Sequence, residues 1–151
     1  MIETADLKQI NLLKSLDEKK LERMRDLASL ESERKGHFFY NVEDPAEKLY
    51  AILTGRVGLA VAKHEEHYTW VIELGPSSSF GVSSAIFTPG RTHMTCAKAL
   101  TDVKALSWRG EELRKLFEKD HELGYRFMAE LSRTIKDRLK IKNIQCMDIY
   151  G

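Results

Sequence analysis

The residues best suited to chemistry lie between Gly75 and Val103, where Gly81 precedes the short run Val82–Phe87 and a Pro89-Gly90 turn leads to Arg91 and Thr92. Arginine is always charged and presents a fork of donors that matches phosphate oxygens. Gly81 has no Cβ to hold a ligand away from the backbone. The run Val82–Phe87 is compatible with a single helical turn, whose free amides would add donors for the same anion. Thr92 can add a hydroxyl. By position alone Arg91 would be an exposed arginine after a turn; the pattern around it makes it an anion-site candidate.

Other clusters carry less. His64-Glu65-Glu66-His67 sets its histidines three apart, not the four of the zinc metalloprotease helix, and the stretch suits a solvated hairpin turn. A cupin-type metal site needs a His-x-His pair, and none occurs. His93 and Cys96 are candidate haem ligands by residue type, but three residues apart on a strand they would face opposite ways, so ordinary packing explains them better. Cys96 and Cys146 are far apart and lack metal-type spacing, so reduced thiols are expected. The basic stretch Arg138 to Lys142 suits a solvated late helix, where cations complement the dipole, better than a nucleic-acid contact.

These residues need a scaffold, and 151 residues suffice for one compact domain with its own core. A net charge of +1 produces no field that would favour nucleic acid or an acidic membrane. The first residues, Met1 to Lys14, lack the features of a signal peptide, and no apolar run reaches membrane-spanning length. A cytoplasmic protein without membrane contact is expected.

Leu7, Ile10, Leu13, Leu16, Leu21, Met24, Leu27 and Leu30 recur mostly every three residues, which predicts two short helices separated at Ser15–Asp17, with Asp17 as cap. Strand-like runs follow at 37–40, 49–53, 57–61, 68–72, 92–97 and 103–108, separated by turn residues. Their spacing predicts a mainly β protein, an antiparallel β-roll of jelly-roll type with flanking helices. Helix returns from Glu111, and a long helix over about 122–147 carries Met128, Leu131, Ile135, Leu139 and Lys142 at spacings of three or four. So long a helix suits a homodimer seam. The expected layout is one domain over 1–151, with N-terminal helices (1–32), a roll (33–109) and C-terminal helices (110–151).

The segment Phe80-Gly81-Val82-Ser83-Ser84 through Arg91-Thr92, inside a cassette at 75–97, resembles the phosphate-binding cassette of the cyclic-nucleotide-binding domain family, which includes the catabolite activator protein. Leu49-Tyr50-Ala51-Ile52-Leu53-Thr54-Gly55-Arg56-Val57 looks like the family's Leu-Tyr-Ile-Ile-x-x-Gly-x-Val element, and Thr101-Asp102-Val103 like the turn and strand after the cassette. The resemblance covers nearly the whole chain. It implies a non-enzymatic sensor without a cofactor, binding cyclic AMP, cyclic GMP or another small anion and signalling through its C-terminal helix. The implied ligand residues are Phe80, Gly81, Val82, Ser83, Ser84, Arg91 and Thr92, with Asn143 on the last helix facing a purine. Family transcription factors continue into a winged helix-turn-helix, whereas this chain stops at Gly151, so it is not expected to bind DNA directly.

One departure stands out. The family's glutamate, which accepts from the ribose 2′-hydroxyl, is replaced by Val82, and the family turn's Gly-acidic pair by Ser77-Ser78. A ribose hydroxyl left without a partner in a dry pocket costs about 1–3 kcal/mol, or roughly one to two orders of magnitude in affinity. Besides the sensor, a degenerate domain serving protein interaction or dimerisation and a haem-based gas sensor are therefore alternative expectations.

Overall fold

A computed structural model describes residues 1–64 and 67–150, apart from the side chains of 62–71 and 142–150. Helix α1 (Thr4–Lys8) and a 3-10 turn (Asn11–Leu13) lead to α2 (Glu18–Leu27), whose first turn is capped by the Asp17 carboxylate accepting from the Lys20 amide at 2.9 Å. Eight strands follow: β1 (Ser29–Glu33), β2 (Phe38–Tyr40), β3 (Lys48–Thr54), β4 (Val57–His64), β5 (His67–Leu74), β6 (Ser79–Phe80), β7 (Cys96–Ala99) and β8 (Val103–Arg109). The chain closes with α3 (Gly110–Lys119) and α4 (His121–Tyr150).

The strands form two four-stranded sheets in the orders β1-β8-β3-β6 and β2-β7-β4-β5, and every strand pair is antiparallel. Alternation along β3 and β8 explains how one sheet serves two cores. Tyr50, Ile52, Val103 and Ala105 face the roll interior with Tyr40, Val57, Leu59 and Phe80. Leu49, Ala51, Leu106 and Trp108 face outward, where Leu7, Leu12, Leu13, Leu21 and Met24 from the N-terminal segment cover them with Leu113, Phe117, Leu123, Phe127 and Leu131 of α3 and α4. Trp108 is fully buried and its indole donates to the Met24 carbonyl at 2.8 Å, which fixes α2 on the sheet.

The β-roll with flanking helices is as the sequence predicts, but several boundaries differ. Leu30 is not helical: the chain turns extended at Ala28, and Ser29–Glu33 pairs residue for residue with Ser107–Val103 of β8, leaving Leu30 54% exposed. A free sheet edge overrides a helical period that continues by one residue too many. The roll therefore begins at Ser29 rather than residue 33. The strand expected at 92–97 begins only at Cys96, with Thr92 held in a lone bridge to Pro45. Strand β6 is too short to carry a period and exists through its pairing with Tyr50 and Ala51. Among the described residues no helix is long and apolar enough to cross a membrane.

Candidate functional site

Gly81 sits at φ +74°, and a Cβ there would lie 2.6 Å from the Lys48 carbonyl, so both conformation and space demand glycine. The chain then makes a four-residue 3-10 turn, Val82–Ala85, in place of the fuller helical turn expected to Phe87. Ser84 closes this turn: its amide and hydroxyl both donate to the Gly81 carbonyl, at 3.1 and 2.8 Å. Gly110 at the start of α3 lets the turn seat, because a Cβ at that position would lie 2.2 Å from the Ser84 carbonyl. Phe80 anchors it from behind, stacked on Tyr50 with centroids 4.9 Å apart and edge-on to Phe39.

The turn borders a cavity of about 240 Å³ between the roll and α4. Gly81, Val82 and Ser83 form one wall, Leu59, Ile72 and Tyr40 another, and α4 closes it with Ile135, Arg138 and Ile141. Tyr40 and His93 lie face to face in this lining, ring centroids 3.4 Å apart and nearly parallel. Burial pushes the Tyr40 hydroxyl up to about 12, against the opposing effect of hydrogen bonds with the Gly81 backbone and the Thr95 side chain. Burial lowers the His93 pKa, with the Asp44 carboxylate opposing it, so the imidazole is held neutral. Arg138 is half-buried and donates to the Ser79 carbonyl of β6. Among the described residues it makes no ion pair with a carboxylate.

The structure thus brings together Gly81, Val82 and Ser83 of the residues singled out from the sequence. Phe80 and Ser84 lie beneath them, buried and already engaged. Arg91 does not line this cavity. Its Nε donates to the Ala46 carbonyl at 3.2 Å, and its own carbonyl accepts from the Ala46 amide, so it fastens the loop between β2 and β3. Thr92 is exposed beside it. The Asn143 side chain lies outside the described residues.

Tyr40 and Arg138 were not singled out as ligand residues, and His93 only as a candidate haem ligand. Arg138 had a readable signal: Leu123, Phe127, Leu131, Ile135, Arg138 and Ile141 follow one helical face, and a cation within an apolar stripe has a partner to find. The bland reading of Arg138 as a solvated helix cation is corrected by its place in the cavity wall. His93 precedes β7 rather than lying on it. No group of three or more His, Cys, Asp or Glu among the described residues is placed to hold a metal ion.

The family model described as cyclic nucleotide-binding domain matches residues 30–120, more than half of the chain. This chain belongs to the cyclic nucleotide-binding domain family. Gly81 starts the turn that borders the cavity, and Val82 follows it in the cavity wall. The chain is 28% identical over 102 residues to the CRP-like cAMP-activated global transcriptional regulator of two Mycobacterium tuberculosis strains, covering 68% of this chain and 45% of each relative. It therefore spans about half the length of these curated relatives. Among solved structures, a candidate cyclic nucleotide-binding protein from Geobacter metallireducens superimposes with a TM-score of 0.80 at 24% identity, covering 92% of this chain and 99% of that one. The regulatory subunit of a cAMP-independent protein kinase A from Trypanosoma brucei gives 0.74 at 19% identity, over 87% and 45% of the two chains. At these identities the structural likenesses establish the fold alone.

Proposed function

We propose that this domain is a non-catalytic regulatory sensor that binds a small anionic ligand, a cyclic nucleotide or another, and reports it through α4. One observation carries the reading: a single cavity is walled on one side by the cassette turn at Gly81–Ser83 and on the other by Ile135, Arg138 and Ile141 of α4. Anything seated there touches both, so its binding energy biases where α4 lies. Gly81, Val82 and Ser83 meet the ligand directly, while Phe80 and Ser84 hold the turn. Arg91 and Thr92 join them only if Arg91 exchanges the Ala46 carbonyl for the ligand.

A second copy of the chain is the natural reader. Leu139 and Tyr125 of α4 are 59% and 75% exposed, and an apolar helix face of this kind suits a homodimer seam. The curated relative is named as cAMP-activated and the trypanosome one as cAMP-independent, so both cyclic AMP and cyclic GMP are first probes rather than assumptions.

A second reading, a domain that has lost its ligand and serves protein interaction, is supported by Val82 in the glutamate's place and by Arg138 seated on its own β6. Calorimetric titration of the chain with cyclic AMP, cyclic GMP and small organic anions separates the two. The sensor reading expects saturable heat from at least one of them, and silence from all at millimolar concentration sinks it.

A further inference from the structure

The cavity wall is chemically lopsided. Leu59, Ile72, Val82, Ile135 and Ile141 make most of it apolar, and the one charge among its described lining residues is Arg138. That guanidinium is half-buried, and among the described residues its one hydrogen bond goes to a neutral acceptor, the Ser79 carbonyl. Ser79 itself is buried, and its hydroxyl has no hydrogen-bond partner among the described residues. A half-buried cation in a mostly apolar wall, without a carboxylate partner among the described residues, is an unfinished polar site, because it has been desolvated without full compensation. The other polar groups among the described lining residues, on Tyr40, Ser83, His93 and Thr95, carry no charge. Val82 has no acceptor for a ribose hydroxyl, and Ser84 has committed its hydroxyl to the Gly81 carbonyl. The volume, about 240 Å³, also lies below the roughly 300–1,000 Å³ of ordinary small-molecule pockets.

We infer that the cavity takes a small organic acid, one carboxylate on an apolar body, whose carboxylate replaces the Ser79 carbonyl on Arg138 and whose body fills the space between Ile72, Val82 and Ile135. This rests on the sensor reading above and narrows its ligand. A carboxylate offers the two coplanar oxygens that a guanidinium fork binds in parallel, which a single carbonyl cannot. The exchange frees Arg138 from β6 and couples the acid to the placement of α4.

The test is calorimetric titration of the whole chain with hexanoate and benzoate, with hexanamide and benzamide as neutral counterparts, and with cyclic AMP and cyclic GMP. Each acid is expected to bind at least tenfold more tightly than its amide and more tightly than either cyclic nucleotide. In Arg138→Gln the acid is expected to bind no better than the amide, with circular dichroism and thermal unfolding reporting whether the variant folds. If it does not fold, the acid-to-amide ratio of the native chain still decides. Equal binding of acid and amide, or tighter binding of a cyclic nucleotide, overturns the organic-acid assignment and leaves the sensor reading standing. No heat from any of the six compounds overturns both.

Discussion

Arg138 on the last helix lines the cavity and donates to the Ser79 carbonyl on β6, so the helix that would report a ligand is fastened to the roll by a residue of the cavity wall. A hydrogen bond from a charged donor stabilises by about 1.5–3 kcal/mol, but burying the charge costs several kcal/mol before any partner is found. The two nearly cancel.

The first prediction follows from that balance. Arg138→Met keeps an unbranched, flexible stem, though a shorter one, and removes the half-buried charge, so unfolding free energy is expected to change by less than about 1.5 kcal/mol in either direction. Urea denaturation measures it. A loss above about 3 kcal/mol would show that the arginine is a structural clamp.

Val82→Glu puts into the cavity wall the acceptor that the resemblance implies. Cyclic AMP affinity is expected to rise about tenfold or more, as a missing partner for a buried hydroxyl is supplied. Hexanoate affinity should fall, since a second anion now lines the cavity. Parallel titrations of native and variant chains read both, and unchanged affinities would mean that Val82 does not meet the ligand.

Gly110→Ala places a methyl 2.2 Å from the Ser84 carbonyl, an approach that backbone must yield to. A loss of about 1–3 kcal/mol in urea is expected, with shifts at the amides of Val82–Ala85 in nitrogen-proton spectra. An unperturbed spectrum would show that the turn and α3 are not packed as described.

The fourth concerns pH. His93 has a folded pKa below its ordinary 6.5, with burial as the main cause, so the unfolded chain binds the proton more readily. Its contribution to stability is therefore complete above about pH 6.5 and is lost as pH falls through the lower folded value. Unfolding free energies at pH 7.5 and pH 5 are expected to differ less in His93→Gln than in the native chain. An identical difference in both would contradict the neutral, buried imidazole.

The architecture was legible because periods change cleanly, from three-to-four in the terminal segments to strand alternation between Phe38 and Arg109. Leu30 misled because an isolated leucine fits either period, and only its β8 partner decides. The candidate site was half legible. Gly81 stood out because it lacks a Cβ, and Val82 through its departure from a resemblance. Arg91 carried the right chemistry, yet its direction depends on the Ala46 carbonyl, which lies 45 residues earlier in the chain. Tyr40 and His93 meet only through folding, from a strand and a loop whose local sequence says nothing of each other.

The central claim is that a ligand in this cavity couples the roll to α4, and three isoleucines on its walls report it: Ile72 on the roll, Ile135 and Ile141 on the helix. Methyl resonances of an isoleucine-labelled chain, titrated with hexanoate and separately with cyclic AMP, test it most directly. The account predicts that with at least one of these ligands all three methyls shift together and saturate at one dissociation constant. Methyls that stay fixed with both, or an Ile72 that shifts while Ile135 and Ile141 do not, would contradict it.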